Sequence, residues 1–416
     1  MNTNYKILKN GFWLFLLQLF NMVVPLLTIP YVTRVLGASN YGIFSLALNW
    51  ITYIQVIVEY GFAFTGAMKV SINDNIELQS LFSRIITARI ILMVLTYCIF
   101  IIVGYIIHIN PEMFICINIL FIIIFGIACQ LNWLFQGKQD MKLITFINAV
   151  ARSVSVMLVF LLVKDSQQIY IYCYCYALTF LLTGILGIIV ANQKYKLKFR
   201  FSSLNEAFDE LKDGWHLFIS QAMARIFSGF GITVLGIFST TDIVGVYSAI
   251  YKIPFVIILF FNPISQAIYP HMTICFNKSL HLARTSIMKI IKLIIPVFIF
   301  FSIIIIGFRK EIVDLAFGKE YSIYSGIIIP LMIWVILSIV NNFLGIQILI
   351  ASGNSKIYSR VFCISSLGNI IFNITLALFF NIYGVAVAAP LGEFLLFLLL
   401  QKETCKLFSN ENRNEK

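Results

Sequence analysis

Gly11-Phe12-Trp13-Leu14-Phe15-Leu16-Leu17-Gln18 returns 203 residues later (214 − 11) as Gly214-Trp215-His216-Leu217-Phe218-Ile219-Ser220-Gln221. Four of the eight positions are identical, and each copy opens a long apolar stretch. The same ungapped offset pairs Gly42 with Gly245 and Ser45 with Ser248. The chain therefore reads as two similar halves. In a membrane protein, two such halves can rock about a central site and give alternating access, which points to transport.

The membrane is dictated by composition. Of 416 residues, 60% are hydrophobic and only 12% charged, with a mean hydropathy of +0.93. No water-exposed fold needs that much apolar surface. The apolar runs are helix-length and far exceed the ~10-residue alternating segments of an outer-membrane barrel. Lys6 and Lys9 precede a run too long for a cleavable signal peptide. The eight cysteines lie mostly within apolar runs and form no CxxC pair, so neither a disulfide framework nor a metal site is expected. A net charge of +12 would suggest nucleic acid in a soluble protein. Here it reflects topology, and no nucleic-acid partner and no cofactor are expected.

Twelve spans are predicted: 11–36, 41–66, 82–108, 112–135, 144–163, 169–191, 214–239, 243–270, 287–308, 324–350, 357–380 and 382–402. With the N-terminus inside, twenty Lys and Arg fall on the inner side. Only Lys164, Arg309, Lys310 and Lys319 fall outside. That bias predicts two cytoplasmic termini. Six spans per half make the repeat parallel, with a pseudo-twofold axis along the membrane normal. The expected architecture is all-α and membrane-embedded. A six-helix lobe spans 1–191, a basic cytoplasmic linker 192–213, a second six-helix lobe 214–402 and a polar tail 403–416. Lys194, Lys196, Lys198 and Arg200 in the linker are either a topology anchor or a contact for anionic lipid headgroups.

Polar side chains align on single faces of the first two helices of each half. Gln18, Asn21, Pro25 and Thr28 share one face of span one, and Ser45, Asn49, Thr52 and Glu59 one face of span two. Gln221, Arg225 and Ser228 follow on span seven, then Ser248, Lys252, Asn262 and Gln266 on span eight. The repeat equates Lys252 with Asn49 and Asn262 with Glu59. For the neutral residues, helix–helix hydrogen bonding and cavity lining fit equally well. Arg225 lies ~16 Å along its span and Lys252 ~14 Å along the next, from the opposite side. A charge at such depth costs about 2.5–3.5 kcal/mol on insertion scales. Two cations there point to a water-filled cavity or an anionic guest, the alternative being a structural ion pair. Arg89, Arg152 and Glu393 are also intramembrane and read as structural, with Glu393 a candidate partner for one of the arginines.

No loop is long enough to be a domain, and Walker A, GxSxG and HExxH sequences are absent. Enzymatic activity is not expected. The run Pro30-Tyr31-Val32-Thr33-Arg34-Val35-Leu36-Gly37-Ala38-Ser39-Asn40-Tyr41-Gly42 resembles the RxLGxxxYG hallmark of Wzx-type polysaccharide flippases. These belong to the multidrug/oligosaccharidyl-lipid/polysaccharide exporter superfamily. Leu131-Asn132-Trp133-Leu134-Phe135-Gln136-Gly137-Lys138 resembles that family's aromatic-Gln-Gly signature. Ala351-Ser352-Gly353-Asn354 holds the corresponding place in the second half.

The resemblance implies a V-shaped pair of six-helix lobes whose cavity is lined by spans one, two, seven and eight. It also implies an undecaprenyl-diphosphate-linked oligosaccharide moved from the inner to the outer leaflet of a bacterial cytoplasmic membrane. Pathways of this kind make O-antigen, lipopolysaccharide or capsule, with polysaccharide polymerases and assembly proteins as partners beside membrane lipids. Arg225 and Lys252 would then meet the diphosphate. Gln18, Asn21, Asn49 and Gln221 would reach sugar hydroxyls, and Arg34, near the outer end, would be a gate or a helix-end cation. Glu59 is the candidate for ion coupling. The competing readings are a multidrug cation antiporter of the same superfamily, a peptidoglycan lipid flippase with two further spans, and a non-transporting scaffold for glycan assembly.

Overall fold

The computed structural model describes residues 3–72 and 75–414. The side chains of Lys6, Arg413 and Lys416, counted above toward the inner side, lie outside its described side chains. The helices are α1 (Thr3–Glu59), α2 (Phe62–Ile72), α3 (Asn75–Ile106), α4 (Pro111–Cys129), α5 (Asn132–Gly137), α6 (Met141–Leu162) and α7 (Ile169–Tyr195). They continue as α8 (Leu204–Phe238), α9 (Thr241–Ile250), α10 (Lys252–Lys278), α11 (Leu280–Gly307), α12 (Arg309–Phe317), α13 (Lys319–Ser322), α14 (Ile328–Asn342) and α15 (Ser355–Asn414). No strand occurs among the described residues.

Ten helical runs among the described residues are long and apolar enough to cross a membrane. Two of them are too long for one crossing. The run Lys9–Ile72 has 64 residues and the run Ser355–Ser409 has 55. Each contains a break where the sequence predicts a turn. Gly37 adopts φ 73°, ψ 172°, and Asn381 adopts φ 51°, ψ −127°. Both lie in positive-φ space, which glycine enters freely and asparagine more readily than most residues. Counted as two crossings each, these runs bring the total to the expected twelve.

Several helix ends differ from the sequence reading, among them the starts of α3 at Asn75 and α11 at Leu280, and three differences have a local cause. Span two ends at Glu59 and restarts at Phe62, because Tyr60 (φ 44°) and Gly61 (φ 79°) turn the chain. A side chain at Gly61 would press on Leu217 Cβ at 3.0 Å, and Tyr60 stacks on Phe218 at 4.6 Å. Span four stops at Cys129, and its signature stretch forms the short α5. The third difference is span seven, whose helix begins at Leu204, ten residues early. Ala207 and Leu211 of that extra turn join the core around Trp133 and Phe82, while Glu210 is neutralised by Lys69 at 2.7 Å and Arg84 at 3.3 Å. Charges that lower hydropathy are thus tolerated through pairing rather than by leaving the helix.

The chain divides into two compact units, Met1–Arg225 and Ile226–Lys416. In the first, α4 and α7 approach closely at glycines: a side chain at Gly126 would strike the Phe180 backbone, and one at Gly184 the Gly126 carbonyl at 2.5 Å. Small residues at such crossings let backbones meet where lipid offers no hydrophobic drive for packing. The aromatic-Gln-Gly signature works in the same way. Trp133 is buried and would meet a Cβ at Gly66 at 3.0 Å, while Gly137 is crowded by Val70 and the Ala67 carbonyl. In the second unit, Gly345 lies under the Tyr358 ring, and Leu349, Val361, Leu396 and Leu400 form a buried cluster. Large apolar residues such as Phe300, Ile303 and Phe379 face outward, as a lipid-facing surface requires.

Candidate functional site

In the first unit the polar face of α1 meets a residue that the sequence reading treats as structural. Arg152 of α6 donates through Nη1 to Asn21 Oδ1. Arg152 and Arg225 both act electrostatically on Tyr176 of α7, and Tyr176 packs edge-on against Phe44 at 5.3 Å. Asn21 and Arg152 are thus hydrogen-bonded, and Tyr176 lies in the electrostatic field of both Arg152 and Arg225, so residues of α1, α6, α7 and α8 share one dibasic neighbourhood. Two guanidiniums near a phenol suit a phosphate-bearing guest, because each guanidinium offers a planar fork of donors. Gln18 sits half-buried one turn before Asn21, and Asn49 is 7% exposed on the second half of α1. Gln221 lies half-buried beside the Gly61 turn, its Nε2 3.5 Å from where a Cβ there would stand. Arg34 is exposed next to the Gly37 break.

Two further first-unit charges, Glu59 and Arg89, have partners within the unit. Glu59 Oε1 accepts from Gln55 Nε2 at 3.0 Å and lies within electrostatic reach of Arg89. Arg89 is 4% exposed. Its Nη1 donates to the carbonyls of Gln130 at 2.7 Å and Ile127 at 3.3 Å, where α4 ends. A cation at a helix C-terminus satisfies orphan carbonyls and complements the helix dipole. The linker is strapped down as well: Lys194 pairs with Asp140 at 2.8 Å, Gln79 Nε2 donates to the Lys198 carbonyl at 2.5 Å, and the Ser202 N–H donates to Thr87 Oγ1 at 3.1 Å.

In the second unit, Lys252 opens α10 immediately after a turn at Tyr251, with its ammonium 5.8 Å from the Phe255 ring centre. Tyr251 packs on Trp334 of α14 at 5.2 Å. Ser265 Oγ donates to Asn342 Oδ1 at 2.8 Å, and Gln347 Nε2 donates to the Ser265 carbonyl at 2.9 Å. Asn369 donates to the Phe227 carbonyl at 3.0 Å and accepts from Asn373 at 3.0 Å. Ser265, Gln347 and Asn369 thus hydrogen-bond between helices, and none of them lies on the polar stripes that the sequence marks. Glu393 does not neutralise an arginine. Among the described residues it enters no ion pair, and its Oε2 accepts instead from Asn341 Nδ2 at 2.6 Å. Residues 341 and 393 carry no periodic signal that sequence alone could have paired. No group of three or more His, Cys, Asp or Glu suited to a metal ion occurs among the described residues.

Residues 7–276 match the family model described as polysaccharide biosynthesis protein. The chain belongs to that family. It is 27% identical over 410 residues to a candidate O-antigen transporter of Escherichia coli (strain K12), across 96% of this chain and 97% of that one. A candidate flippase of low-salt glycan biosynthesis from Haloferax volcanii is 26% identical over 395 residues, covering 92% of this chain and 80% of its own. The fold is also that of the lipid II flippase MurJ in an inward closed conformation, with a TM-score of 0.76 at 15% identity over 97% of this chain and 87% of that one. An inward-facing multidrug transporter of the MATE family matches with a TM-score of 0.72 at 13% identity, over 94% and 96% of the two chains. The chain is a multi-pass membrane protein, and the Escherichia coli and Haloferax volcanii relatives are named as a transporter and a flippase.

Proposed function

We propose that this protein moves an undecaprenyl-diphosphate-linked oligosaccharide from the inner to the outer leaflet of a bacterial cytoplasmic membrane by alternating access. The observation that carries this reading is the end-to-end likeness to the Escherichia coli relative. The first unit adds support: Arg152, Arg225, Asn21 and Tyr176 make a group that favours an anionic, hydroxylated guest over a cationic drug. Arg225 and Lys252 each offer the diphosphate a cation, and Gln18, Asn21, Asn49 and Gln221 serve sugar hydroxyls. Arg34 contacts the guest at release. Both termini and the linker face the cytoplasm, and a polysaccharide polymerase receives the flipped unit. Glu59 stands in reach of Arg89 and is the coupling group of the first half.

Deleting the chain from its host should leave lipid-linked repeat units unpolymerised and confined to the inner leaflet. A plasmid copy should restore export. Normal glycan display in the deletion strain would refute the reading, and a scaffold role would instead show scattered assembly without confinement to one leaflet.

A further inference from the structure

We infer that Glu393 is a proton-binding site of the second unit, taking up and releasing one proton as the guest is carried. The inference rests on the transport reading above and names the coupled ion. Glu393 lies eleven residues past Ile382 in the last crossing, ~16 Å along it at 1.5 Å per residue. It is 5% exposed. A carboxylate at such depth ordinarily has a cation beside it or gives up its charge. Here every partner is neutral. Asn341 Nδ2 donates to Oε2 at 2.6 Å and to the Glu393 carbonyl at 2.8 Å, and Ser338 and Trp334, on the same face of α14, also hydrogen-bond the carboxylate. From the first half of α15, Tyr358 is the titratable group that faces it; α14 presents no charged group to it.

The hydrogen-bond inventory of this pocket is one donor short. Asn341 Oδ1 is buried without a partner, next to the π-helical segment Phe343–Ile350 that follows α14. Buried acceptors without donors are rare in folded proteins. A proton on Glu393 provides an O–H and removes the uncompensated charge together. A metal ion fits less well, because the groups turned toward the carboxylate are N–H and O–H donors and an indole N–H cannot ligate a cation.

The surroundings connect this site to both polar stripes of the second half. Trp334, a donor to Glu393, packs against Tyr251 at the break before Lys252. Gly392, the preceding residue, lies against Asn369, whose Nδ2 holds the Phe227 carbonyl of α8. π-Helical turns mark functional positions in many proteins. Loading one proton therefore changes the hydrogen bonding of residues packed on the helices that carry the candidate guest contacts.

The direct test is infrared difference spectroscopy on the purified full-length protein, titrated in pH with and without sodium. The wild type should show the carbonyl stretch of a buried protonated carboxyl, titrating with pH and indifferent to sodium. Glu393→Gln should abolish it, and, should that variant not accumulate, Glu393→Asp should shift its frequency and midpoint. A band that survives Glu393→Gln, never titrates, or is displaced by sodium would overturn the assignment. In cells, Glu393→Gln should lower export per folded protein about tenfold and remove its response to collapse of the pH gradient. Retention of the wild-type response would also overturn it. The infrared result stands whether or not export is the function, so the two readings fail separately.

Discussion

The two units treat buried charge differently. In the first, Glu210 is held by Lys69 and Arg84, and Arg89 by two helix-end carbonyls. In the second, Glu393 has only neutral donors around it. A charge with an opposite charge or a row of carbonyls beside it is pinned, since removing either member leaves the other uncompensated. A charge surrounded by neutral dipoles can change its state at much smaller cost. The contrast separates residues that build the structure from residues that can work in it.

The largest effect should come from breaking the pinned set. Glu210→Ala strands Lys69 and Arg84, although Lys69 keeps Asp213 at 2.7 Å and both cations are partly exposed. A loss of about 3 kcal/mol is expected, the low end for a broken buried pair. It should appear as less folded protein in the membrane and an earlier thermal transition, with export per folded molecule near wild type. Arg89→Met should behave similarly at about 1–3 kcal/mol, the cost of buried carbonyls left without donors. If either variant folded normally and lost export instead, the division between the units would fail.

Arg152 sharpens the comparison, because its visible partner is the neutral Asn21. Arg152→Ala should reduce export per folded protein about tenfold, equivalent to ~1.4 kcal/mol of lost guest binding, with little effect on folded yield. Arg152→Lys should recover part of it, the bidentate fork being lost. A fall in folded yield with unchanged specific export would return Arg152 to the structural group. The smallest perturbation concerns topology. Asn205, exposed at the start of α8, replaced by cysteine in a cysteine-free background, should resist labelling from outside intact cells. Efficient labelling would reverse the orientation of the linker.

Much of the fold is legible because breaks and spans are local properties. The turn at Gly37 follows from Gly-Ala-Ser-Asn between two apolar runs, and Asn381 breaks the last pair of crossings in the same way. The start of α8 is not legible. Glu206, Asp209, Glu210, Lys212 and Asp213 depress its hydropathy, and the lysine that neutralises Glu210 lies 141 residues earlier. The candidate site follows the same division. Helical spacing places Gln18, Asn21, Arg225 and Lys252 on polar faces, yet it cannot say which residue across the packing will answer them. Sign alone suggested Glu393 for an arginine. The fold gives Arg152 to Asn21 and Glu393 to Asn341, and the π-helical segment beside Asn341 has no sequence signature.

The central claim is translocation of a diphosphate-linked glycan, and a leaflet assay addresses it most directly. Purified protein would be placed in liposomes carrying a labelled polyprenyl-diphosphate oligosaccharide, and the fraction reached by an impermeant glycan-cleaving enzyme followed in time. The wild type should expose the inner-leaflet pool, while Arg225→Ala and Lys252→Ala, folded and inserted, should each slow exposure about tenfold, as expected for loss of a charge-assisted contact. Kinetics indistinguishable from protein-free liposomes, or full wild-type rates in both variants, would contradict the account.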